Sequence, residues 1–300
     1  MNASTSSVSV RFTINSLKEI VMRVLQVEYR SEVVTPYADI IKETQRILCA
    51  AEDHGLTVRL LGGMAVRLHC PTAIHRSLER RYAYIDFMAL KKQREEVKRL
   101  FLELGYSSRE MFNVMSGGKR LIYNDIVNGR RVDLFFDVFE MCHRFNFKDR
   151  ILLDNPTITL ADLLATKLQV VEMTEREYKD IIAIVHDHRI GDSDTPETIN
   201  GTYLAHLCGD DWGLYKTFST NIINVLAALN KYRLNERDEQ TVTWRLADLR
   251  LRIERAPKTL RWKIRARIGE REPWYNLPEP DREVVIDTRF EAKVSPPMTR

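Results

Sequence analysis

Two apolar runs, YAYIDFMAL (residues 82–90) and RRVDLFFDV (130–138), each carry an aspartate among hydrophobic neighbours: Asp86 in the first, Asp133 in the second. Both runs are rich in β-branched and aromatic residues and read as strands. A buried strand rarely keeps a carboxylate unless a partner or a metal offsets its desolvation. These two strands therefore limit the fold and also mark where its chemistry is expected.

The flanking segments supply the rest of the pattern. Residues 16–30 (SLKEIVMRVLQVEYR) and 36–53 (PYADIIKETQRILCAAED) repeat apolar positions three and four apart and predict amphipathic helices, the second opened by Pro36 and stopped by His54-Gly55. LTVRLLGG (56–63) is a short strand that runs into a glycine pair, and MAVRLHC continues it as a helix. KKQREEVKRLFLELG (91–105) predicts a charged amphipathic helix closed by Gly105. MSGGKRLIYND and GRRVDLFFDVFEM predict an antiparallel pair around the turn residues Asn128-Gly129. The order strand, helix, strand, helix, strands implies an α/β (α+β) fold: a mixed sheet flanked by helices.

Composition changes near residue 150. TITLADLLATKLQVVEM (157–173) opens with a capping-box pattern, Thr159 followed by Asp162, and from there to about residue 270 the chain reads as helix, with breaks at Gly191–Pro196 and Gly209–Gly213. The expected organisation is an α/β domain over 1–150, a mainly helical domain over 151–272 and a Pro-rich extended tail over 273–300.

Net charge restricts the partners only mildly. With 46 basic and 42 acidic residues among 300, the balance is +4 and the pI is near 8.8, which permits contact with phosphates without demanding nucleic acid. Cys49, Cys70, Cys142 and Cys208 form no CxxC pair, favouring free thiols in a reducing compartment over a disulfide or zinc framework. No apolar run is long enough to span a membrane, and MNASTSSVSVRF lacks the features of a secretory signal, so a cytoplasmic protein is expected.

The glycine pair in LLGGMAV lets backbone approach a ligand closely, and a helix N-terminus favours phosphate. Asp86 and Asp133 offer the hard oxygen ligands on rigid strands that Mg²⁺-assisted phosphoryl transfer needs. LLGGMAV, then IDF about 20 residues on, then RVDLFF resembles the nucleotidyltransferase fold of the DNA polymerase β superfamily. The stretch DLLATKLQVVEMTEREYKDIIAIV, with a helical lysine and a later Lys-Asp pair, is similar to the AbiEii/MenT group of toxin-type nucleotidyltransferases. The IDF, RLIYND, RVDLFFD and MCHRFNF order is also similar to bacterial nucleotidyltransferase-like proteins of about this length.

This resemblance, over roughly residues 55–188, implies transfer of a nucleoside monophosphate from an NTP to an acceptor. It implies Gly62, Gly63 and Lys167 on the nucleotide phosphates, Asp86 and Asp133 on Mg²⁺ (or Mn²⁺), and Asp180 as the acid of the Lys-Asp pair. RNA, a protein hydroxyl and a small molecule remain open as acceptors. Tyr84 stands where the superfamily carries the first acid of its pair, and a phenol is a poor Mg²⁺ ligand at neutral pH. Glu79 and Asp137 are the nearby carboxylates that could replace it, Asp137 only if its strand stays regular. The rival reading is a nucleotide-binding sensor or partner that has lost turnover at Tyr84.

Other features have plainer explanations. Lys167 also fits the edge of an apolar helical stripe. His75, Arg76, Arg80 and Arg81, in the segment between the glycine turn and Asp86 where a triphosphate or an RNA end could pass, read as solvated surface. HDH at 186–188 lacks further ligands for a metal phosphohydrolase, and Cys142-His143 lacks an oriented third partner. The basic stretch 244–271, with Leu246, Leu249 and Ile253 on one face, reads as a packed amphipathic helix, with nucleic-acid binding as its alternative.

Overall fold

A computed structural model describes residues 35–277 apart from 116 and 118. The expected helix at 16–30 and most of the Pro-rich tail lie outside the described residues. The fold class is as expected: a mixed five-stranded sheet flanked by helices, followed by a mainly helical region.

The sheet comprises β1 (Val58–Leu61), β2 (Tyr84–Ala89), β3 (Ser107–Ser108), β4 (Arg120–Asp125) and β5 (Arg130–Phe136), in the order β1-β2-β5-β4-β3. Only β2 and β5 run parallel, side by side at the centre. The expected hairpin exists: β4 and β5 pair antiparallel across the turn that ends at Gly129, whose φ of 65° suits glycine. The strand after it is shorter than expected. Asp137 adopts φ 55° and ends β5, and a separate hairpin of β6 (Val138–Glu140) and β7 (Arg144–Asn146) follows.

Three helices accompany the sheet before residue 116: α1 (Ile40–Asp53), α2 (Gly62–His69) and α3 (Arg94–Glu103), with the single-turn α4 (Glu110–Met115) after β3. Helix α1 begins at Ile40, later than Pro36 suggested. The Asp39 carboxylate accepts from the N–H groups of Ile41 and Lys42, while Arg130 donates to the carbonyls of Tyr37 and Ala38. Those carbonyls are held outside the helix, and a strong N-cap sets its start.

The helical region contains α5 (Leu160–Leu168), α6 (Glu175–Asp187), α7 (Gly201–Asp210), α8 (Trp212–Ala228), α9 (Glu236–Arg255) and α10 (Leu260–Ile268). Strands β8 (Arg189–Gly191) and β9 (Thr198–Asn200) form a short parallel pair within it. Thr159 caps α5 as expected, accepting from Asp162 N–H, and Thr174 with Glu177 forms a full capping box on α6. Helix α5 is apolar nearly all round and buried, with α6 packed beside it. The expected face of α9 is buried too: Leu246, Leu249 and Ile253 all lie in the core.

Two connections fasten this region to the sheet. Residues 156–158 extend the β1 edge, with Leu60 N–H donating to the Pro156 carbonyl at 2.9 Å and Ile158 N–H to the Leu60 carbonyl at 3.1 Å. One apolar core then runs from Ile47 on α1 to Ile253 on α9.

Helix α1 carries a buried ion pair. Glu43 on α1 is fully buried and accepts from Arg46 at 2.7–2.8 Å, from Tyr106 Oη at 2.5 Å and from Tyr37 N–H at 2.8 Å. Arg46 spans onward to the Leu104 carbonyl at 3.0 Å, tying α1 to the turn after α3. Breaking such a pair leaves an uncompensated buried charge. Glu43→Ala is expected to cost about 3–5 kcal/mol in urea unfolding, far more than Lys42→Ala on the exposed face of the same helix.

Candidate active site

The parallel register of β2 and β5 places two rows of side chains together on one face of the sheet. Tyr84 is the register partner of Arg131, and Asp86 is the register partner of Asp133. Neighbouring strands lie about 4.8 Å apart, so the two carboxylates face each other at close range. Leu61, the last residue of β1, pairs with Asp86 from the other side. The strand therefore delivers the glycine turn directly beside the carboxylates.

Both glycines are required by close approach. Gly62 has φ 70°, and a Cβ there would lie 2.1 Å from Asp86 Oδ2. A Cβ on Gly63 would lie 2.0 Å from the Arg80 guanidinium. Helix α2 starts here with no side-chain cap, which leaves its first N–H groups without a capping side chain.

Asp133 is almost completely buried and is gripped by two arginines. Arg120 on β4 donates to Oδ1 at 3.1–3.2 Å and Arg131 donates to Oδ2 at 3.0 Å. Arg131 also lies over the Tyr84 ring, 4.6 Å from its centroid. A second anchor of the same form is built by the helical region. Asp180 on α6, 2% exposed, takes a bidentate pair of bonds from Arg80 at 2.8 Å and an ion pair from Lys167 on α5 at 2.8 Å. Arg80 additionally stacks on Tyr82 at 4.3 Å.

These residues surround a cleft of about 890 Å³. Gly62, Gly63, Tyr84, Asp86, Asp133 and Lys167 all line it, and Asp180 sits behind Lys167 and Arg80. Of the residues singled out in the sequence, the two glycines, the two strand acids, the lysine and the Asp180 anchor are thus brought to one place. Arg80, which in the sequence reads as solvated surface, is instead mostly buried and directed into the cleft.

Arg120 and Arg131 do not stand out in the sequence either. Arg131 has a usable signal, because Arg-x-Asp on a strand puts both side chains on one face. Arg120 depends on the β4–β5 register, and Arg80 on a loop meeting α6, so neither leaves a local signature.

The two carboxylates considered as substitutes for the missing acid are elsewhere. Asp137 is turned away by its left-handed backbone and accepts from Lys91 N–H at 2.9 Å. Glu79 is exposed, and it is its main-chain carbonyl that meets Lys179. Among the described residues, no group of three or more His, Cys, Asp or Glu is arranged to hold a metal. His186 and Asp187 instead fasten helix ends, Asp187 accepting from Thr72 and His186 pairing with Asp238 at 3.2 Å. Cys142 is buried, which raises its thiol pKa, and the neighbouring His143 meets Thr217 at 2.8 Å.

No family model matches the chain, and no curated protein matches it. Among solved structures it is similar to the antibiotic-resistance factor ANT(2'')-Ia, at 13% identity and a TM-score of 0.34, over 48% of this chain and 81% of that one. No helix among the described residues is long and apolar enough to cross a membrane.

Asp86 carries the electrostatic cost of the arrangement. Burial, then the adjacent Asp133 charge, push its carboxyl up from 3.8 to about 6, against the opposing pull of Lys167, Arg120 and Arg131. A carboxyl with a folded-state pKa above its unfolded value binds protons more tightly when folded. Its ionisation therefore destabilises the fold progressively as pH rises through that window. Asp86→Asn is expected to raise stability by about 1–3 kcal/mol above pH 7, and the gain should vanish below about pH 4. Thermal unfolding of both proteins across that pH range checks the sign.

Proposed function

We propose that the cleft is a nucleotidyltransferase-type site, which binds an NTP and passes its nucleoside monophosphate to an acceptor hydroxyl. The observation that carries the reading is the in-register pair Asp86–Asp133 beside the uncapped, glycine-opened N-terminus of α2. Around it stand cations anchored by buried carboxylates.

In this reading the triphosphate lies against the N–H groups of the Gly62-Gly63 turn, with Lys167 and Arg80 on its oxygens. The acceptor hydroxyl oxygen forms a bond to the α-phosphorus and gives up its proton to solvent, the bond from the α-phosphorus to the bridging oxygen breaks, and pyrophosphate leaves with the electron pair. Catalysis then rests on positioning and on neutralising phosphate charge. The donor set suits Mg²⁺ or Mn²⁺, since magnesium is commonly held by one or two carboxylates with phosphate oxygens and water completing its shell. Asp86 is the better ligand of the two, because both oxygens of Asp133 already accept from arginines. Such a cation, when bound, supplies Lewis-acid charge neutralisation at the phosphates.

A second reading is favoured by one specific arrangement. With Tyr84 under Arg131 and Asp133 held by two guanidinium groups, the site departs from a two-metal design and suits a protein that binds nucleotide without turning it over. RNA, a protein hydroxyl and a small molecule are all compatible acceptors.

Incubation with each labelled NTP, Mg²⁺ or Mn²⁺, and total cellular RNA and protein separates the readings. Transfer by the natural protein, reduced about 100-fold or more in Asp86→Ala, is the expected result. Nucleotide binding with transfer restored only in Tyr84→Asp would establish the second reading. Neither binding nor transfer in any variant would overturn both.

A further inference from the structure

We propose that the outward face of α9 is a self-association surface, on which a second copy of this chain docks antiparallel to form a two-fold dimer. The proposal does not depend on the nucleotide reading, because none of the described residues lining the cleft belongs to α9.

Helix α9 carries apolar residues on two sides, and the fold uses one of them. Val242, Leu246, Leu249 and Ile253 enter the core, with α6, α7 and α8 packed beside the helix. On the opposite side, Gln240, Trp244, Ala247, Leu251 and Glu254 recur at alternating steps of four and three residues, with Arg237 three positions before the first. That is the seam spacing of a helix pair. Trp244 is 67% exposed and Leu251 45%. Large apolar side chains held in water on a helix whose other side is already packed mark an interaction surface, and tryptophan is among the commonest interface anchors.

The order of side chains along this face specifies its occupant. An antiparallel register that seats Trp244 against the partner's Ala247 also sets Gln240 opposite the partner's Leu251 and Arg237 opposite the partner's Glu254. Two-fold symmetry makes each contact twice. The largest side chain of the seam thus meets the smallest, and Gln240, Thr243, Trp244 and Ala247 line a shallow hollow that can receive the partner's indole. The layers at both ends pair opposite charges, whereas a parallel arrangement would set Arg237 on Arg237 and Glu254 on Glu254. The first turn of α9 is acidic, through Glu236 and Glu239, and its last turn is basic, through Arg255, so antiparallel contact also brings unlike ends together. An unrelated partner would have to reproduce this alternation of size and charge. A second copy carries it already. The helix has 20 residues, a length of about 30 Å, and contact confined to it is small for a permanent dimer, which places the dissociation constant at about 1–50 µM.

Sedimentation equilibrium of the full chain from about 1 to 200 µM tests the assignment. The natural protein is expected to pass from monomer to dimer across that range, and Trp244→Glu should stay monomeric throughout. Arg237→Glu and Glu254→Arg should each weaken association about 10-fold, and the two substitutions together should restore most of it. All three side chains are exposed, so thermal unfolding of each variant at low concentration should match that of the natural protein.

A chain that is monomeric at every concentration, a dimer that persists in Trp244→Glu, or single charge reversals that the double variant does not rescue would each overturn the proposal. A monomer that Trp244→Glu destabilises would overturn it too, by assigning the face to another segment of this same chain, such as residues 16–30. None of these outcomes bears on nucleotide binding in the cleft.

Discussion

A carboxylate buried in a central strand has to be neutralised, and the way Asp133 is neutralised determines what the surrounding cleft can be. Two arginines reach it, Arg120 from the neighbouring β4 and Arg131 from its own strand, one on each oxygen. That leaves Asp133 with little capacity to hold a metal and gives it a different task, the immobilisation of cations. Asp180 does the same from the helical side for Arg80 and Lys167. The buried acids thus act mainly through the positive groups they orient, and Asp86 is the carboxylate left facing the open space between them.

This arrangement links the two parts of the chain. The sheet supplies Asp86, Asp133, Arg120 and Arg131, whereas α5 and α6 supply Lys167 and Asp180, and the loop before β2 supplies Arg80. The backbone bonds between Leu60 and residues 156–158 bring the start of α5 next to the strand that ends at the glycine turn. A shift of α6 against the sheet would therefore withdraw two cations from the cleft together. The apolar core running from α1 to α9 makes such a shift expensive, because interiors at native packing density transmit displacement instead of absorbing it.

Much of this is legible in the sequence wherever the information is local. Apolar β-rich runs identify β1, β2, β4 and β5, Asn128-Gly129 locates the hairpin turn, and Thr159 locates the start of α5. Asp86 and Asp133 can be paired because each has apolar residues on both sides in a β-rich run, and the register makes them partners. Information carried by tertiary contacts is not legible. The start of α1 depends on Arg130, some 90 positions away, holding two carbonyls outside the helix. The end of β5 depends on one left-handed residue, Asp137, which no propensity marks strongly. Arg80 and Arg120 look like ordinary surface charge because their partners, Asp180 and Asp133, lie in elements whose relative placement only the fold defines.

Asp86 gives the cleft its sensitivity to what occupies it. Its carboxyl, raised to about 6, is governed first by burial and then by Asp133, with Lys167, Arg120 and Arg131 pulling the other way. A polyphosphate laid against those cations would screen their pull and favour the protonated carboxyl. A divalent cation beside the carboxylate would favour the ionised form.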